Sequence, residues 1–166
     1  MNLFSVIRPG AVRYLDPEFE QLLLGLRRGA MASGPAALVF TGMPKAHLEA
    51  QARQVATRLG RPLVRLDLAG VLGKYIGETE KNLDRLLRSA EASGAVLLLD
   101  EADALFGGKT DVKDSNDKYA NLETNYLLSK LEQFRGVIVI TSNAPAEAVK
   151  PRGKLRQVVV KFPPGR

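Results

Sequence analysis

The sequence predicts an α/β fold, a three-layer αβα sandwich around a parallel five-stranded sheet. Five short apolar runs recur along the chain: Ala37–Thr41, Leu63–Asp67, Ala95–Asp100, Val137–Thr141 and Val158–Phe162. Segments with helical apolar spacing lie between them. The runs are apolar at nearly every position, as expected of strands covered by helices on both faces. Length and composition agree. A chain of 166 residues suits one domain with a real core, and 45% hydrophobic with 25% charged residues excludes a disordered or collagen-like polymer.

Taken in order, Asp16-Pro17-Glu18 is a helix start: a capping acid, proline at the first helical position and an acid in the first turn. Phe19, Leu22, Leu23 and Leu26 then repeat at helical spacing up to about Arg28, and a loop-like stretch follows to Pro35. Residues 1–36 thus read as an N-terminal helix and linker leading into a core at 37–166. After the first strand a turn at Gly42-Met43-Pro44 leads to a helix over Ala46–Leu59, which Gly60 stops. The second strand, Leu63–Asp67, is followed by a glycine-containing loop, Leu68–Glu78, and an amphipathic helix, Thr79–Ser93, with Leu83, Leu86, Leu87 and Ala90 on one face. The third strand ends at Asp100. A polar loop, Gly107–Ser115, and a helix from about Asn116 to Phe134 precede the fourth strand.

Several function classes drop out early. The chain has no cysteine, which excludes disulfides, thiol catalysis and thiolate metal sites, and His47 is its one histidine. No apolar run is long enough to span a bilayer, and the N-terminus lacks a secretory apolar stretch. The expectation is a soluble, cytoplasmic protein with no membrane partner. The net charge of +6 is local. Lys150, Arg152, Lys154, Arg156, Lys161 and Arg166 face no acid after position 149, so the preceding residues are neutral overall. A nucleic-acid-binding domain would spread its cations over a face and interleave aromatics, so this pattern weighs against nucleic acid as the main ligand.

In a parallel sheet, ligands gather at the carboxyl ends of the strands. Three of those ends are chemically pointed: Gly42, Asp100-Glu101 and Ser142-Asn143. A strand ending in Asp then Glu can set Asp100 near a magnesium ion and Glu101 beside an attacking water; it can equally be the acidic start of the next helix. Gly73-Lys74-Tyr75-Ile76-Gly77-Glu78 sets an aromatic between glycines. That loop can grip polypeptide by packing, or Tyr75 can simply tuck onto the following helix.

Read together, these segments resemble the AAA+ ATPase core over about Leu38 to Phe162. The likeness rests on a Walker B-like strand at Leu97–Glu101, a polar end to the fourth strand at Thr141-Ser142-Asn143, and the Lys74–Glu78 loop, which is similar to the central-pore loop of hexameric unfoldases. The wording of KYIGETEKNL, LLLDEADALFG and NLETNYLLSKLE is most similar to AAA+ proteins that accompany phage-tail-like contractile injection systems. The resemblance implies a P-loop NTPase fold, ATP with magnesium as cofactor, and a homo- or hetero-oligomeric ring acting on a protein partner or polypeptide. It implies that Asp100 organises the metal, Glu101 polarises water, Asn143 positions the γ-phosphate, and Lys74, Tyr75 and Ile76 contact substrate.

The phosphate loop departs from that pattern. Gly-x-x-x-x-Gly-Lys-Ser/Thr counted from Gly42 puts His47 at the second glycine, Leu48 at the lysine and Glu49 at the hydroxyl residue. Lys45 lies three positions early, though a rearranged loop could swing it inward. At ~5 Å and an effective dielectric of ~20, each unit-charge change beside a polyphosphate is on the order of 3 kcal/mol. Glu49 is also expected in the first turn of the helix, where it would occupy the end that favours anions. Paired arginine fingers are missing, with Arg156 or Arg152 left as a remnant, and the helical lid is expected to be missing after Phe162. The sequence therefore favours weak or absent ATP and magnesium binding and an assembly, scaffold or regulatory role. A working polypeptide-remodelling ATPase is the alternative.

Overall fold

Among the described residues, six segments align as strands in one sheet, in the spatial order β1-β6-β2-β5-β4-β3, and every pairing is parallel. The computed structural model describes residues 12–13, 17–27, 36–67, 78–100, 126–145 and 156–163. Along the chain these form β1 (Val12–Arg13), α1 (Pro17–Arg27), β2 (Ala36–Thr41), α2 (Lys45–Leu59), β3 (Leu63–Asp67), α3 (Glu78–Ser93), β4 (Val96–Asp100), a helical stretch at 126–133, β5 (Val137–Thr141) and β6 (Arg156–Lys161).

The five predicted strands are all present, and a sixth joins them. β1 is two residues long and pairs with β6 through Val12↔Val160 and Arg13↔Lys161. A strand that short carries no hydrophobic pattern to read. β6 also starts earlier than its apolar run, because Arg156 and Gln157 pair with Ala36 and Ala37 of β2. Backbone ladders are indifferent to side-chain polarity at a strand's entry. Of the long helix expected from about Asn116, only the part at 126–133 falls within the described residues.

Strand periodicity sorts the apolar side chains into two cores. Leu38, Phe40, Leu98, Val139 and Val160 face one side, where Leu48, Ala52, Val55, Ala56 and Leu59 of α2 cover them. Ala37, Val39, Leu97, Leu99, Ile138 and Ile140 face the other, beneath Leu83, Leu87 and Ala90 of α3 and Leu127 and Leu131. This two-sided burial is why β4 and β5 are apolar at consecutive positions. The leading helix is part of the first core: Phe19, Leu22, Leu23 and Leu26 are buried in it. α2 ends at Gly60, whose left-handed conformation (φ 67°, ψ 33°) donates to the carbonyls of Ala56 and Thr57. Phe162, just past β6, meets the Phe40 ring edge-on at 4.8 Å between centroids.

Candidate functional site

The strand order β2-β5-β4 sets three carboxyl ends side by side, so Thr41, Thr141 and Asp100 share one edge of the sheet. β2 leaves this edge through a turn of only three residues, Gly42-Met43-Pro44, before α2 begins at Lys45. Gly42 has φ +102°, and an added Cβ would lie 2.3 Å from the Phe162 carbonyl oxygen. Only glycine satisfies both constraints. Gly42→Ala should therefore destabilise the fold by about 2 kcal/mol, the usual scale of backbone strain of this kind, read as a lowered urea midpoint.

Pro44 caps α2 with its backbone. Its carbonyl accepts hydrogen bonds from the N–H groups of His47 at 2.9 Å and Leu48 at 3.1 Å, and no side chain caps the helix. In a phosphate loop, N–H groups at this point stay open toward the anion. Here those two are consumed in the first helical turn. The Leu48 side chain turns into the first core and is 1% exposed. Glu49 corrects an expectation: because α2 starts at Lys45, it is the fifth helical residue, and the first turn carries no acid.

Asp100 is the centre of the site. Its side chain is 1% exposed, yet two cations reach it. Lys45 Nζ lies 3.0 Å from Oδ2, and Arg65 Nη2 donates to the same oxygen. Thr141 Oγ1 sits 3.5 Å from Oδ1. Burial pushes the Asp100 carboxyl up, but hydrogen bonds from Lys45 and Arg65, joined by their charges, outweigh it and hold the group below the usual carboxylate range. Arg65 Nη2 is also 3.3 Å from Glu49 Oε1. That oxygen is buried and makes no aligned hydrogen bond, so its contact with Arg65 is ionic.

The β5 side of the edge is tied down by its hydroxyls. Thr41 Oγ1 donates to the Ala144 carbonyl, Ser142 Oγ accepts from the Ala144 N–H at 3.1 Å, and the Ser142 N–H reaches the Phe40 carbonyl at 3.0 Å. Asn143 is exposed on the turn so formed. Lys45, Glu49 and Asp100 are thus brought together, while Leu48 is withdrawn into the core. Arg156 stands opposite Ala36 at the far, amino end of β2. Five strand steps of ~3.3 Å put it about 17 Å from the Thr41 edge. Glu101, Lys74, Tyr75 and Ile76 lie outside the described residues.

Arg65 escaped the sequence reading. The available signal was an arginine inside a short strand, Leu63-Val64-Arg65-Leu66-Asp67, with apolar residues on both sides. Its significance depends on β3 pairing with β4, where Arg65 is opposite Leu98, two residues before Asp100.

The described groups at this edge are engaged with one another. The Asp100 carboxylate already holds two cations at contact distance, and the N–H groups of His47 and Leu48 are bonded to the Pro44 carbonyl. Among the described residues no group of three or more His, Asp or Glu side chains could hold a metal ion, and no helix is long and apolar enough to cross a membrane.

A model of the ATPase family associated with various cellular activities (AAA) matches residues 50–159. The chain belongs to the AAA family. Among curated proteins it is similar to cell division protein C of Sulfolobus acidocaldarius, 26% identical over 151 residues, covering 84% of this chain and 38% of that one. It is also similar to the ATPase family gene 2 protein of Schizosaccharomyces pombe (26% over 130 residues; 75% and 16%) and to a Lon protease of Flavobacterium johnsoniae (31% over 146 residues; 75% and 17%). The AAA chain spans less than two fifths of the length of these relatives. Its sheet is the α/β sheet expected of an AAA domain. The family match starts at residue 50, so Gly42–Glu49, the segment that departs from the phosphate-loop pattern, lies just outside it.

Proposed function

We propose that this AAA chain is a cytoplasmic, degenerate ATPase core that binds Mg·ATP weakly or not at all. It acts as an assembly, scaffold or regulatory subunit of a ring that handles polypeptide. One observation carries the reading: Leu48, at the phosphate-loop lysine position, is buried in the core beneath a helix that begins three residues before it. The lysine position of the phosphate-loop pattern is taken by that leucine, and the N–H groups of His47 and Leu48 are bonded to the Pro44 carbonyl. The polypeptide class rests on the resemblance of Lys74–Glu78 to a pore loop and is in keeping with a relative named as a protease. The wording of KYIGETEKNL and LLLDEADALFG points to a contractile injection system as the setting.

Isothermal titration with Mg·ATP tests the reading. No saturable heat is expected up to millimolar nucleotide, and micromolar affinity would overturn it. Cross-linking and sedimentation of the chain mixed with an active AAA partner should give a mixed ring.

A second reading, an active polypeptide-remodelling ATPase, is favoured by the inward turn of Lys45 onto Asp100. A lysine there stands near the place a phosphate would take and could shift from carboxylate to ligand. Asp100, Glu101, Asn143 and a neighbour's Arg156 would then serve metal, water, γ-phosphate and developing charge. Phosphate release that is lost in Glu101→Gln would establish this second reading.

A further inference from the structure

We infer that the Arg65 guanidinium serves as a built-in cation at this site, holding Asp100 and Glu49 together where an ATPase of this fold would place a metal ion. The inference rests on the reading of the site as degenerate. Two carboxylates from different elements, Glu49 Oε1 of α2 and Asp100 Oδ2 of β4, converge on a single nitrogen, Arg65 Nη2. The first is 3.3 Å away and the second is hydrogen-bonded. With Lys45 on the same Asp100 oxygen, two cations balance two carboxylates, and the cluster is neutral without any ligand.

The burial of each partner gives the arrangement its direction. The Asp100 side chain is 1% exposed and the Glu49 side chain 20%, whereas those of Lys45 and Arg65 are 39% and 48% exposed. Asp100 cannot turn to water and Glu49 is mostly covered, so a cation has to come to them. Arg65 supplies it from the neighbouring strand, its backbone placed by the β3–β4 ladder. Glu49 in place of a hydroxyl residue and Arg65 beside it therefore form one exchange: an added negative charge and the positive charge that neutralises it. A divalent ion offered to this cluster meets two cations already in contact with Asp100 and is repelled.

Removing Arg65 should reverse this. Without it the cluster carries two carboxylates against Lys45 alone, a net charge of −1, with hard oxygen ligands that suit Mn²⁺. Arg65→Met keeps the apolar stem and deletes the charge. Mn²⁺ binding followed by electron paramagnetic resonance should be undetectable in the wild-type chain and at least about tenfold tighter in Arg65→Met. Adding Glu49→Gln to that variant should abolish the gain. Thermal unfolding should show Arg65→Met stabilised by Mn²⁺ and the wild type indifferent to it, and a variant that refolds only with Mn²⁺ would support the inference equally. An Arg65→Met chain that folds and takes up no Mn²⁺, or stays unfolded with and without it, would overturn the inference. Saturable Mg·ATP binding by the wild type would instead overturn the degenerate reading, so the two failures are distinct.

Discussion

Replacing Leu48 with alanine is expected to lower stability by about 3 kcal/mol, within the ~2–5 kcal/mol typical of truncating a buried leucine. The side chain is 1% exposed and lies in the core formed with Phe40, Leu98, Val139 and Ala52. Alanine would leave a cavity beside close-packed strands whose backbone ladders resist collapse. Urea unfolding followed by far-UV circular dichroism should show a lower midpoint with an unchanged slope. A change under about 0.5 kcal/mol would mean that the side chain lies outside the core, as surface substitutions behave. The placement of Leu48 in the core would then fail. Glu49, the next residue, faces the polar cluster, so Glu49→Ala should show the opposite signature: a small cavity effect and a change in the ionic behaviour of Asp100.

Asp100→Asn is expected to cost on the order of 2–3 kcal/mol at neutral pH, the scale of losing charged hydrogen bonds at a buried carboxylate. The partial exposure of Lys45 and Arg65 keeps the figure from being larger, since both can turn to water once the carboxylate charge is gone. The loss should depend on pH in a definite direction. The Asp100 carboxyl is held below its ordinary value in the folded chain. Such a group contributes stability above its unfolded pKa of about 3.9, and the contribution falls away as pH drops through that value toward the folded one. The wild type and Asp100→Asn should therefore differ at pH 7 and converge at acidic pH below about 3.9. Denaturant midpoints measured across that range check it. A constant difference at every pH would show that the effect comes from shape and not from charge.

Much of the scaffold was legible beforehand, because hydrophobic burial leaves its imprint on the sequence. β3 and β5 have the predicted limits, Gly60 ends α2 as expected, and Phe19, Leu22, Leu23 and Leu26 form the buried face that their spacing implied. The described helix starts differ by at most a single residue, and the larger differences lie in strands whose formation depends on backbone pairing. β1 exists because β6 offers Val160 and Lys161 as partners, and the entry of β6 is set by Ala36 and Ala37. Within the site, the mismatch of Gly42–Glu49 to the Gly-x-x-x-x-Gly-Lys-Ser/Thr pattern could be counted directly, and the start of α2 was legible to within one residue, Ala46 against Lys45. It depends on how Gly42 passes under the Phe162 carbonyl and on Pro44 accepting from His47 and Leu48.

The sequence by itself determined an α/β chain with a strand ending in Asp100 and a short Gly42-Met43-Pro44 turn after its first core strand. Those properties follow from local composition and spacing, which are fixed by covalent order. Only the tertiary structure decided which groups answer the charge on Asp100. Lys45 arrives from the first residue of α2, and Arg65 arrives from a strand 35 residues before Asp100 in sequence. Ion pairing at a buried carboxylate is decided by distance in space and by access to water, and neither is written in the order of residues along the chain.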